Sequence, residues 1–340
     1  MGERVFAGAT EENVLIQAGA CSLTILPQLG GKIASIRIED RELLQTPINP
    51  LANRTRTMSF DAGDASGWDE CLPSVAACAV PTAEGTAHVP DHGDLWRVAW
   101  ETQGLGNREQ GTENTAGKSS HANESGPATI SLRGQCFSLP LELERMLSLR
   151  EADGGWRLDL DYKLTNTGSY PVPWVWAAHP LFAVEPGDRI VLPQSIQMLS
   201  VQGSGGGRLG KKDDTIGWPV GALSDGGSTD LSVAQLPESG IGDKLFAGPL
   251  TESENWCSLE RPSAHLRVRV GLDTSVTPYL GLWICYGGWP DRPGPKQTCV
   301  AIEPTTAPVD SLAETGPWSR LLEPGAYAKW TMRVDFEPLG

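Results

Sequence analysis

Residues Leu139–Asn166 read LPLELERMLSLREADGGWRLDLDYKLTN. Leu141 and Leu143 alternate with Glu142 and Glu144, and Leu158 and Leu160 with Asp159 and Asp161. A strand sends successive side chains to opposite faces, whereas a helix needs apolar residues every three to four positions. The stretch is therefore two strands, each with one dry face and one wet face, as in an antiparallel sheet. Its four acids belong to the wet face and are not a catalytic cluster. Outward from it, Thr129–Cys136, Val14–Gln17, Ser22–Pro27, Lys32–Ile38 (with a Gly30-Gly31 turn), Trp256–Glu260, His265–Leu272 and Ala326–Phe336 also read as strands. In His265–Leu272 the apolar Leu266, Val268, Val270 and Leu272 alternate with outward Arg267 and Arg269. Only Asp310–Leu322, DSLAETGPWSRLL, reads as a short helix. Well over a dozen strand-like runs with turn signals between them predict an all-β sandwich. No internal repeat or composition shift divides the chain, so residues 1–340 are expected to form one domain.

The 340 residues, 39% hydrophobic with twelve Trp, allow a substantial core. The net charge of −15 and the lack of a Lys/Arg run argue against nucleic acid or an anionic membrane surface as partner. No stretch reaches the roughly 20 apolar residues of a membrane span, and Met1–Asn13 has no signal-peptide core. The seven cysteines, with no C-x-x-C pair, fit free thiols in a reducing cytoplasm and speak against a zinc knuckle. No catalytic metal is expected; Asp61, Asp64 and Asp69 crowd one loop without EF-hand spacing, which leaves calcium there as an open alternative. Nothing in the sequence fixes an oligomeric state.

Two apolar runs end on groups that can move protons. Tyr279–Tyr286, YLGLWICY, is followed by a Pro/Gly-rich loop and by CVAIEP, in which Glu303 precedes Pro304. Since proline donates no ladder hydrogen bond, the strand is expected to stop there. Trp283 and Trp289 offer ring faces beside this carboxylate. In Pro173–Phe182, PWVWAAHPLF, His179 likewise precedes Pro180. Singly, such residues are more often structural; together they make an acid–base pair. Pro47–Asp69 is a long polar segment leading into GWDECLPSV, and a loop of this length is usually functional or disordered. It contributes Arg54, Arg56, Trp68, Asp69 and Glu70 as candidates.

In order and character, WVWAAHPLF, CVAIEPTTAPVDS, the upstream PDHGDLW and the early GGKIASIRIEDRELL resemble the aldose 1-epimerase (galactose mutarotase-like) family. The resemblance implies one large antiparallel β-supersandwich. It also implies a cofactor-independent isomerase that interconverts the α and β anomers of a small sugar. Glu303 would be the base and a protonated His179 the acid. His92 would steady the ring oxygen or a neighbouring hydroxyl. Asp243, in GDKLFAGPL, and Arg54 or Arg56 would hold other hydroxyls, with Trp68 and Trp283 as further contacts. A glycoside hydrolase, with Asp69 or Glu70 partnering Glu303, and a non-catalytic sugar-binding protein are the alternatives. GGGRLG at 205–210 formally fits a dinucleotide fingerprint and, with Lys211, nearly a P-loop. Lys212 stands where Ser or Thr is needed, no helix follows, and Asp213 and Asp214 would repel phosphate. Gly104–Ala128 is expected to be a polar surface hairpin loop.

Overall fold

The computed structural model describes residues 13–106 and 127–340. Most of the Gly104–Ala128 loop and nearly all of the Met1–Asn13 segment lie outside them. The fold is a large antiparallel β-sandwich built on two sheets. The first runs Val14–Ala18, Cys21–Leu26, Lys32–Ile38, Trp68–Cys71, Ala177–Ala183, Thr298–Thr305, Tyr279–Tyr286, Ile241–Ala247, Met198–Ser204, Thr215–Gly217. The second runs Arg189–Val191, Trp256–Arg261, Leu266–Leu272, Tyr327–Pro338, Gly155–Asn166, Leu141–Ala152, Ala128–Gln135, Glu101–Gly106. The alternating stretch Leu139–Asn166 forms the centre of the second sheet, with Leu147 opposite Leu160 and Leu149 opposite Leu158. These leucines share one apolar core with Leu23, Ile25, Leu282, Ile284 and Ile302 of the first sheet. Glu142, Glu144 and Asp159 lie on the outer face, where Lys163 pairs with Glu144 and Arg150 with Asp159.

Two local expectations do not hold. Asp310–Leu322 forms turns and loop ending in the short strand Leu321–Leu322, not a helix; Gly316-Pro317 falls in its middle, and these are the poorest helix formers. The strands at His179 and Glu303 do not stop at their prolines. Ala177–Ala183 contains Pro180, and Thr298–Thr305 contains Pro304. The two strands are neighbours. Ala177 pairs with Thr305 and Leu181 with Ala301, and no pair is formed between these points. A proline removes a ladder donor, and here each is accommodated where the ladder lapses. Counting along the same register brings His179 opposite Glu303, inside the gap.

Candidate active site

Because side chains alternate along a strand, the register sorts residues onto faces. Glu303 stands opposite Gly281, Gly281 opposite Phe246, Trp283 opposite both Lys244 and Ala301, and His179 opposite Asp69. The intervening Ile302, Leu282 and Leu245 point into the main core. His179, Lys244, Trp283 and Glu303 thus emerge on the face of the first sheet turned away from that core. Loops cover this face and complete a cavity of about 180 Å³, to which they add Phe60, Ala76, Asp91, His92, Trp289, Gln297 and Asp310. This is below the ~300–1,000 Å³ of drug-sized sites and suits one sugar ring.

Glu303 is 1% exposed. Its Oε2 accepts a hydrogen bond from Lys244 Nζ, whose ammonium also lies 3.7 Å from Asp310 Oδ1. His179 Nε2 is 3.7 Å from the other oxygen, Oε1, too far for a direct hydrogen bond. Glu303 Oε1 and Asp310 Oδ1 are buried and accept no hydrogen bond from the described residues. Buried carboxylate oxygens are rarely left unpaired, so these two are suited to ligand hydroxyls. Burial pushes the Glu303 carboxyl above its ordinary value, and the Lys244 charge pulls it back. Burial alone would lower the Lys244 ammonium, but Glu303 and Asp310 outweigh it and hold it above the usual lysine range.

Histidine 179 is buried. Desolvation, together with the positive charges of His92, Lys244 and Lys32, holds its pKa well below the ordinary imidazole value. This disfavours the protonated form that the free side chain would hold in part near neutral pH. His92 stacks on Phe60 with centroids 3.8 Å apart and meets His179 edge-on at 5.2 Å. Its backbone is left-handed, with φ 58°, as is that of Gly93 at 70°. A side chain at position 93 would run into the Leu72 backbone 2.2 Å from its Cβ, so the residue after His92 has to be glycine. His92 Nδ1 lies 3.0 Å from Asp91 Oδ2. Trp283 Nε1 donates to Gln297 Oε1 at 3.1 Å, and Gln297 is held in turn by the Ala65 carbonyl.

Of the residues singled out in the sequence, Glu303, His179, His92 and Trp283 meet at the cavity, and Trp289 joins them. Asp243 does not. It is one residue from Lys244 and so faces the other way, where Ser204 Oγ and the Arg208 guanidinium hold its carboxylate at 2.7 and 2.9 Å. Arg208 comes from the glycine-rich loop and ties that loop to the sheet. Arg54 is buried in an ion network with Asp64 at 2.6 Å and Asp69 at 3.2 Å. Lys32 completes this network, 2.6 Å from Asp69 and 3.1 Å from Asp64. Asp64 and Asp69 are thus neutralised by side-chain cations. Arg56 lies over the Phe137 ring and does not line the cavity. Trp68 is fully buried in the main core, on the opposite face from Asp69. Glu70 is also buried there, accepting hydrogen bonds from Arg145, Tyr162 and Trp176. Neither Asp69 nor Glu70 is therefore placed to partner Glu303 in hydrolysis. Lys244, Asp310, Phe60 and Gln297 were not identified from the sequence. Lys244 stands beside the quoted Asp243 and Asp310 ends the quoted APVD, so the motifs were legible but not which side chains turn inward.

No protein-family model matches the chain, and no curated protein matches it in sequence. Solved structures do match in shape. The Slr1438 protein from Synechocystis sp. PCC 6803 superposes with a TM-score of 0.68 at 15% identity, covering 99% of this chain and 100% of that one. A galactose mutarotase-like protein from Clostridium acetobutylicum gives 0.60 at 14% identity, covering 95% and 94%. A galactose mutarotase related enzyme from Lactobacillus acidophilus gives 0.60 at 15% identity, covering 96% and 98%. The fold of this chain is the galactose mutarotase-like β-sandwich.

Proposed function

We propose that the protein is an aldose 1-epimerase that needs no cofactor. The observation that carries this reading is the unpaired Glu303 Oε1, opposite His179 across the lapsed ladder, in a cavity the size of one sugar ring. Glu303 removes the proton from the anomeric hydroxyl, the C1–O5 bond opens as O5 takes a proton from a group in the cavity, the carbonyl rotates, and the ring closes on its other face with both transfers reversed. His179 faces the ring oxygen, while His92 and Asp310 meet neighbouring hydroxyls and Trp283 and Trp289 flank the ring. The likeness to mutarotase-like structures supports the assignment at the level of fold. Among the described residues, the cavity has one lysine against the three carboxylates Asp91, Glu303 and Asp310, which favours a neutral sugar over a phosphorylated one.

Polarimetry of freshly dissolved α-D-glucose and α-D-galactose tests the proposal: the protein should hasten the approach to equilibrium rotation without added cofactor. Glu303→Gln keeps the shape and removes the base, and it should lower the rate roughly 10²–10⁴-fold while sugar still binds. Full activity in that variant would refute the assignment of the base. Sugar binding with no rate enhancement across a panel of aldoses would make this a binding protein. Release of nitrophenol from aryl glycosides would make it a hydrolase.

A further inference from the structure

We propose that Lys244 is a catalytic residue of this site, the acid that protonates the ring oxygen as the sugar opens. The inference rests on the epimerase reading and concerns the one step which that reading leaves without a proton source. Ring opening needs a donor at O5 in the same cavity as the base at O1. His179 sits at the right place, but burial disfavours its protonated form, and a second positive charge there would face the Lys244 and Lys32 ammoniums. The groups placed around Glu303 are Lys244 from Ile241–Ala247, Asp310 from the loop after Thr298–Thr305, His179 and His92 across the cavity, and Cys71 from Trp68–Cys71. Of these, Lys244 is the cation in direct contact with Glu303, whereas His92 stands across the cavity against Asp91.

Geometry favours the same residue. Lys244 Nζ rests on Glu303 Oε2, one carboxylate's width from the unpaired Oε1. The two oxygens that must exchange protons, O1 and O5, share one carbon, so donor and acceptor have to be this close. Asp310 Oδ1, 3.7 Å from Nζ, provides a second resting point for the ammonium once the sugar displaces it from Glu303. Proton accounting is balanced. Glu303 Oε1 takes the O1 proton, that O–H bonding pair becomes the C1=O bond, the C1–O5 pair goes to O5, and O5 takes a proton from Nζ. A charged Glu303/Lys244 pair becomes a neutral one, and the net charge of the buried cavity does not change. Closure on the other face reverses each transfer.

The test compares wild type with Lys244→Arg and Lys244→Ala in the polarimetric assay, with sugar affinity measured in parallel. Arginine keeps the positive charge, and hence the ion pair with Glu303 and the fold, but does not release a proton. Lys244→Arg should bind sugar within a few-fold of wild type and lose roughly 10²–10⁴-fold in kcat. Lys244→Ala should lose at least as much and regain rate with ethylammonium but not with tetramethylammonium, which has charge and no N–H. If Lys244→Arg turns over within about threefold of wild type, or tetramethylammonium rescues Lys244→Ala equally well, Lys244 is only a counter-ion and the inference is wrong while the epimerase reading stands. A wild type inactive on every aldose would overturn the reading itself, and this inference with it.

Discussion

His179 is enclosed by the Phe60 ring, edge-on at 5.6 Å, by His92, and by charges from Lys244 and Lys32. In the folded chain it titrates well below the ordinary value of 6.5. When the chain unfolds, the imidazole returns to that ordinary value and binds a proton below it. Between the two values the unfolded state holds more protons, so stability falls as the pH drops from about 6.5 toward the folded value. The slope approaches ~1.4 kcal/mol per pH unit. Subtracting the urea-unfolding free energies of His179→Gln from those of wild type, between pH 7.5 and 5, should isolate this slope. An identical pH dependence in the two proteins would mean that His179 is not held neutral by its surroundings.

At the scale of strands, the site depends on a place where a ladder is interrupted and on a position that has no side chain. Gly281 stands opposite Glu303 in the adjoining strand. A methyl group there would come within 3.1 Å of Glu303 Oε2 and 3.2 Å of the Phe246 ring. The φ of Gly281 is not in the left-handed region, so alanine strains the neighbours and not its own backbone. Gly281→Ala should therefore fold, with a Tm within a few degrees of wild type, and should lower kcat by displacing the Glu303/Lys244 pair. A rate equal to wild type would show that the pair tolerates a shift of a few tenths of an ångström. A large loss of secondary structure by circular dichroism would show instead that the glycine serves the fold.

Across the whole molecule, six of the seven cysteines are buried and Cys78 is partly exposed, all as free thiols. Burial raises the Cys21 thiol to about 12 and the Cys285 thiol to about 11, so both stay protonated and unreactive near neutral pH. A thiol reagent should label Cys78 first under native conditions, then all seven groups in denaturant without reductant. Five groups in denaturant would reveal a disulfide. The slow labelling should also report global opening, because Cys21, Cys71, Cys136 and Cys257 are packed in different parts of the two sheets.

Alternation at Leu141–Glu144 and Leu158–Asp161 was enough to establish strands with one wet face, because the two-residue period is a local property of the backbone. The same local reading found Glu303 and His179, since an ionisable group closing an apolar run contrasts with its neighbours. What it could not supply was register. One position separates Asp243 from Lys244 and Trp68 from Asp69, and a one-residue shift moves a side chain to the other face of the sheet. Only the pairing of Lys244 with Trp283, and of His179 with Asp69, decided which member of each pair stands on the outer face of the first sheet, where Lys244 lines the cavity and Asp69 joins the Arg54 ion network. The protonation of His179 and the ion pair on Glu303 also depend on side chains drawn from distant parts of the chain. Burial and charge are properties of the assembled sheet, and no single segment encodes them.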